Sequence, residues 1–272
     1  MRHLLLVVLV CAFASTASAK AWDVPAAGES ASGDVEVLFT FDDGPNPVTT
    51  PQVLDILLAR NIKAVFFLVG NMVNNENKKI PLIIQRILRE GHVIANHTQR
   101  HSDLCRGKGL EGDEHAIRDV DDGKATIERV SGITVQWFRA PYGTRCDRLD
   151  KMLEERHIHH FHWDLDPQEW KHGNVDRTVK YVTTELAHAH GRAVLLLHDI
   201  KAVTVKALPQ ILDWVDQENA KRAKSRKRKI RFLSPSALAI EQLPAGFVDW
   251  FTEATRDLRG LPKSIASVLP VK

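Results

Sequence analysis

TFDDGPNPV, Thr40 to Val48, sets two aspartates side by side at the end of an apolar run and follows them at once with Gly44-Pro45. Read locally, this is a strand that ends in a turn, because Asp, Gly and Pro each favour turn geometry for steric reasons. Read chemically, one acid holds a metal while the other moves a proton. The chemical reading needs partners elsewhere in the chain. In α/β folds such partners gather at the C-terminal ends of strands, where Asp42 and Asp43 already sit.

Working outward, apolar β-rich runs at Val35–Phe41, Ala64–Val69, His92–Ala95, Val135–Phe138 and Ala193–Leu197 are predicted to be buried strands. Between them Pro51–Arg60, Ile80–Glu90 and Glu114–Val130 carry helical spacing; Ile80, Ile83, Ile84, Ile87 and Leu88 fall on one face. This alternation predicts an α/β fold with a parallel sheet or barrel in a single domain, without internal repeats. With 272 residues, 44% hydrophobic and 26% charged, the chain has the composition of a globular protein with a substantial core.

The ends read differently from the middle. Arg2, the apolar stretch Leu4–Ala14 and the small residues Ala17-Ser18-Ala19 have the pattern of a secretory signal peptide over residues 1–19, cut after Ala19. That run is too short to anchor in a bilayer, and no later segment reaches the roughly 20 apolar residues a membrane helix needs. Residues 20–34 then form an N-terminal extension, 35–242 the main domain, and 243–272 a C-terminal appendage, helical around Phe247–Leu258. The expected location is outside the cytoplasm: periplasm, cell wall or medium. Export disfavours a nucleic-acid partner, and nothing in the sequence points to an oligomer.

Without the signal, two cysteines remain, Cys105 and Cys146. In an oxidising compartment a single disulfide is the economical reading, against two unpaired buried thiols. Net charge is +3, yet Lys221 to Arg231 holds eight basic residues, leaving the rest of the mature chain mildly acidic. Such a run is a solvated loop or helix end, or else a patch for an anionic polymer or membrane surface.

Four further motifs follow apolar runs. ANHTQRH places His97 and His101 at an i, i+4 spacing that can face one side of a helical turn and bind one ion, although among 13 histidines other pairs compete. FRAPYG offers Arg139 for bidentate pairing with a carboxylate and a Pro-Tyr-Gly turn that can aim backbone N–H groups at an oxyanion. WDLDPQEW supplies Asp164, Asp166, Glu169 and an aromatic wall, Trp170. VLLLHD ends in His198, which is either a core histidine or a proton donor.

In this order the motifs resemble the polysaccharide deacetylase family, the NodB-like group also called carbohydrate esterase family 4, over about Val37 to Leu233. The resemblance implies a distorted (β/α) barrel of about seven parallel strands. It implies that Asp43, His97 and His101 bind a divalent metal, most simply zinc, with cobalt or another divalent ion as alternatives. It implies Asp42 as general base, Arg139 as the group orienting Asp42, the Tyr142 backbone N–H as an oxyanion donor and His198 as general acid. Leu196 and its neighbours would form the acetyl pocket, with Trp170 and Tyr142 against the sugar. The family pattern Asp-x-x-Asp-Trp reads here Asp166-Pro-Gln-Glu169-Trp170, so Glu169 stands where an aspartate usually helps hold the histidine and reaches one methylene further. Cys105 and Cys146 would lie on rim loops of the same face.

The function implied is removal of N-acetyl groups from N-acetylglucosamine in a wall or matrix polysaccharide, peptidoglycan first and chitin or poly-N-acetylglucosamine next. Acetylxylan esterase activity and a catalytically weakened glycan-binding wall protein are the alternatives.

Overall fold

A computed structural model describes residues 23–24, 33–107, 109–236 and 238. The expected signal peptide 1–19, most of the expected extension 20–34, and the expected appendage 243–272 with the helix read around Phe247–Leu258 lie outside the described residues. Numbered in chain order, the strands are β1 Asp23–Val24, β2 Val35–Asp42, β3 Ala64–Leu68, β4 Val93–Asn96, β5 Trp137–Phe138, β6 His159–Phe161, β7 Arg192–His198 and β8 Ile230–Phe232. The helices are α1 Thr49–Ala59, α2 Gly70–Val73, α3 Lys79–Arg89, α4 Gly109–Ser131, α5 Asp147–Glu155, α6 Glu169–His172, α7 Val175–His188 and α8 Ala202–Lys224.

All the strands pair in parallel, in the order β1-β6-β5-β4-β3-β2-β7, with β8 pairing to the start of β2. The sheet curls until the chain leaving β6 meets β7: Leu165 bridges Leu195, and Leu196 N donates to Leu165 O at 2.9 Å. This is the expected distorted barrel. The five strands read from sequence are present, shifted by a residue or two, except that Val135–Phe138 contributes only Trp137–Phe138 to the ladder.

Strand β2 explains why the fold assembles around the opening motif. It is buried on both faces, and its side chains alternate between them. Val35, Val37, Phe39 and Phe41 pack under the helices with the isoleucines of α3, which explains that helix's single apolar face. Leu38 points the other way, into the barrel, among Val65, Phe67, Phe161 and Val194. Thr40 and Asp42 continue that inner row by the same alternation.

Register then levels the functional residues. Asp42 pairs with Phe67 on one side and His198 on the other, Leu68 pairs with Asn96, and Asn96 pairs with Phe138. Strand ends from β2, β4, β5 and β7 therefore reach one height at the C-terminal rim. A one-residue slip of β2 would turn Asp42 out of the barrel.

Candidate active site

The inner row of β2 meets a buried cation. Arg139, just after β5, is fully buried and donates to Asp42 Oδ1 at 2.7 Å and Thr40 Oγ1 at 2.9 Å. Its other nitrogens reach the carbonyls of Phe161 at 3.2 Å and His162 at 3.1 Å, and its guanidinium lies 4.1 Å from the Phe67 ring centre. A buried ion pair is tolerated when its remaining hydrogen-bonding groups are satisfied, as these are. One Asp42 oxygen is thereby pinned, and the other, Oδ2, lies 3.7 Å from His97 Nε2 at the cavity.

Asp43 would point away from Asp42 on a straight strand. Instead its backbone adopts φ 74°, left-handed, which swings its carboxylate to the same side. Aspartate tolerates this region better than most residues. One oxygen, one ligand nitrogen of His97 and one of His101 lie within 4.8 Å of one another. Asp43 Oδ1 stands 3.0 Å from His101 Nε2 and 3.6 Å from His97 Nε2, yet this buried oxygen has no hydrogen-bond partner among the described residues. Lone pairs facing a common centre are what a cation site requires.

The imidazoles are prepared for that role. His97 Nδ1 donates to the Arg139 carbonyl at 2.7 Å, which leaves the Nε2 lone pair facing inward. Burial pushes the His97 pKa down against the pull of Asp42 and Asp43. Burial would raise Asp43, but the contact with His101 and the charges of His97 and His198 outweigh it and hold the carboxyl at about 2. The residues thus fit a divalent ion of the zinc kind, with two imidazole nitrogens, one carboxylate and an open side.

The i, i+4 spacing works differently from the helical turn expected. His97–His101 is a loop, with Thr98 at φ 67° and His101 at φ 59°. Asn96 Oδ1 accepts from Thr98 N at 2.9 Å, Thr98 Oγ1 from His101 N at 2.9 Å, and Asp119 Oδ1 on α4 from Arg100 N at 2.8 Å. Gly123 on α4 permits this support, since a Cβ there would come within 2.5 Å of the Thr98 backbone. Left-handed backbone at Thr98 and His101 costs free energy that these bonds offset.

Across the cavity, Glu169 is fully buried and its Oε1 accepts from His198 Nδ1 at 2.9 Å, His198 N at 2.7 Å and Thr204 Oγ1 at 3.2 Å. Burial would lower the His198 pKa, but the Glu169 bond and charge raise it, which suits a proton donor near neutrality. The extra methylene of Glu169 therefore does not spoil the pairing. Asp166 lines the cavity without holding His198; its Oδ1 accepts from Gln168 N at 2.8 Å. Burial raises its pKa. Tyr142, Trp163, Trp170 and Leu196 complete the lining of a cavity of about 170 Å³. Tyr142 and Trp170 are well exposed, at 71% and 49%, as residues that meet a ligand at the mouth should be.

Residues 30–159 match the family model described as polysaccharide deacetylase. The chain is 36% identical over 168 residues to a chitooligosaccharide deacetylase of Bradyrhizobium sp. (strain ANU 289), covering 62% of this chain and 72% of that one. It belongs to the polysaccharide deacetylase family. A peptidoglycan-N-acetylglucosamine deacetylase of Bacillus cereus is 33% identical over 196 residues, covering 70% of this deacetylase and 84% of the relative. The solved peptidoglycan deacetylase PdaC from Bacillus subtilis superposes with a TM-score of 0.63 at 26% identity, over 83% of this chain and 96% of that one.

In this polysaccharide deacetylase the remaining sequence candidates fall into two places. Cys105 and Cys146 are bridged, S–S 2.05 Å, which ties the loop after His101 to the segment after Tyr142. Tyr142 OH lies 3.2 Å from His101 Nδ1, so the bridge braces a rim that already touches the ligand set. The basic run lies at the far end. Ile230 pairs with Val35 at the start of β2, and Lys221, Lys224, Arg226 to Lys229 and Arg231 are exposed. Arg222 is instead buried, bonded to Glu218 and to the Leu186, Ala187 and Arg228 carbonyls.

Four residues of the site carry little signal in the sequence: Thr40, Asp119, Thr204 and Asp199. Thr40 and Thr204 have no motif of their own. Asp119 is one acid among several in an exposed-looking helix. Asp199 directly follows His198 in a run of apolar residues, and a charge placed there is the available signal. It is fully buried, and burial first, then the field of Asp43, pushes its carboxyl up to about 7.

Proposed function

We propose that this deacetylase is a metal-dependent hydrolase that removes acetyl groups from N-acetylglucosamine units of an extracytoplasmic polysaccharide. Peptidoglycan is the first candidate, with chitin-type or poly-N-acetylglucosamine oligomers next. The observation that carries the reading is the pair of proton-handling groups, Asp42 with Arg139 and His198 with Glu169, facing one cavity beside Asp43, His97 and His101. A zinc-type ion held by those three would supply Lewis acidity toward the acetamide carbonyl and acidify a bound water.

The chain's own residues do the rest. Arg139 fixes Asp42 so that Oδ2 takes the proton of the attacking water. His198, held at Nδ1 by Glu169, presents Nε2 to the leaving amine and returns a proton there. Leu196 and Trp163 give the acetyl methyl an apolar wall, and Trp170 and Tyr142 flank the sugar. In this reading the Tyr142 backbone N–H stabilises the developing oxyanion.

The signal-like N-terminus and the Cys105–Cys146 bridge support export to the periplasm, wall or medium. For Lys221–Arg231 we propose contact with an anionic wall polymer, supported by seven exposed cations. Retention on purified anionic polymer that persists at high salt would count against this contact. The activity is tested by incubating zinc-loaded protein with peptidoglycan fragments, chitin oligomers and acetylxylan and measuring acetate. Release from the first or second is expected. Release from acetylxylan alone makes it an esterase, and no release with metal bound makes it a glycan-binding protein.

A further inference from the structure

The Gly44-Pro45 turn that carries Asp43 away from the strand is clamped by the residue following the general acid. Gly44 O accepts from Val69 N at 3.0 Å, holding the turn on the end of β3. On its other side lies the Asp199 carboxylate, so close that a Cβ on Gly44 would come within 2.5 Å of Oδ2 and 2.6 Å of Oδ1. Asp199 Oδ2 accepts from Thr50 Oγ1, both residues being fully buried. The same Thr50 Oγ1 accepts from Asn46 N at 2.8 Å, and Asn46 Oδ1 accepts from Val48 N at 2.8 Å and Thr49 N at 3.0 Å. One carboxylate and one hydroxyl thus join the end of β7, the turn and the start of α1.

We propose that Asp199 and Thr50 are positioning residues, which hold the Gly44 turn so that Asp43 keeps its ligand geometry opposite His198. The proposal rests on the metal reading of Asp43, His97 and His101. Three features carry it. The carboxylate lies against the one glycine adjacent to Asp43. Its other oxygen, Oδ1, is buried with no hydrogen-bond partner among the described residues, so a structural bond to Thr50 alone leaves half of this costly group unexplained. And Asp199 is covalently next to His198, so one dipeptide sets both the proton donor and the metal-bearing turn.

The test uses Thr50→Val, which removes the hydroxyl at nearly constant shape, Thr50→Ser, which restores it, and Gly44→Ala, which drives a methyl into the carboxylate. Zinc affinity is measured by chelator competition, kcat and KM by acetate release, and unfolding of the metal-free proteins by heating. Loss of a group supporting a metal ligand lowers affinity roughly 10- to 100-fold. Thr50→Val and Gly44→Ala are expected to show that loss, with kcat reduced and KM little changed, and Thr50→Ser to lie near wild type. The double variant Thr50→Val/Gly44→Ala should lose no more than the worse single. Wild-type zinc affinity in folded Thr50→Val and Gly44→Ala overturns the proposal, as does a loss seen equally in Thr50→Ser. If Thr50→Val does not fold, the Gly44→Ala and Thr50→Ser comparison decides. Should the unsubstituted protein bind no zinc, the metal reading itself fails and the proposal falls with it; if it binds zinc and the variants match it, only the clamp is refuted.

Discussion

Replacing Glu169 by glutamine should slow acetate release about tenfold and move its alkaline limb to lower pH. Glu169 Oε1 accepts from His198 Nδ1 at 2.9 Å, and in Glu169→Gln the amide oxygen can keep that bond, so the tautomer and ring position of His198 are preserved. What is lost is charge. A hydrogen bond to a charged group contributes about 1.5–3 kcal/mol and a neutral one about 0.5–1.5, so the protonated ring loses about 1–1.5 kcal/mol, close to one decade in rate. The direction in pH follows from the opposing causes. Burial favours neutral His198, and Glu169 reverses that preference. Without the carboxylate, burial is unopposed and the proton leaves at lower pH. The amide NH2 would also occupy the place of Oε2, a buried atom with no hydrogen-bond partner among the described residues, at a stability cost of about 1–3 kcal/mol. Initial rates with a chitin oligomer across the neutral range, with zinc affinity as control, measure the effect. An alkaline limb that does not move, with a rate within about twofold of wild type, refutes the role given to this pair.

Asp42→Asn should retain zinc while kcat falls roughly 10²- to 10⁴-fold, checked by parallel titration and turnover. Reducing the Cys105–Cys146 bridge, 41 residues apart, frees a loop worth about 4 kcal/mol in chain entropy, so thermal unfolding with reductant should come roughly 10 °C earlier. His92 is buried, accepts at Nδ1 from Ala64 N at 3.0 Å, and is held by burial at about 4. The unfolded chain takes up this proton below its ordinary pKa of about 6.5 and the folded one only near 4, so stability falls as pH drops between them, by about 3 kcal/mol. In His92→Asn, whose amide oxygen can keep the Ala64 bond, that part of the slope should vanish in denaturant titrations at several pH values.

The strand ends that form the site are legible because burial on both faces leaves a strong local signal. VEVLF, AVFF and AVLLL read as strands from composition alone, and the acids, histidines and arginine at their ends stand out against apolar neighbours. Strands β1, β6 and β8 are not legible. Each has only two or three residues, and their pairing is set by the curl of the sheet rather than by their own preference. The helical turn expected for His97–His101 fails for a similar reason. Thr98 and His101 take left-handed backbone only because Asn96, Asp119 and α4 hold them there.

By itself the sequence determined the alternation of strands and helices and the residue types available for chemistry, since apolar runs and apolar periodicity are local properties. Tertiary structure alone decided which residues meet. Arg139 reaches Asp42 across 97 positions and Glu169 reaches His198 across 29, while Asp199 finds Thr50 across 149. Those encounters depend on how strongly a parallel sheet curls and in what register its strands pair, and register is a property of the assembled barrel rather than of any one segment.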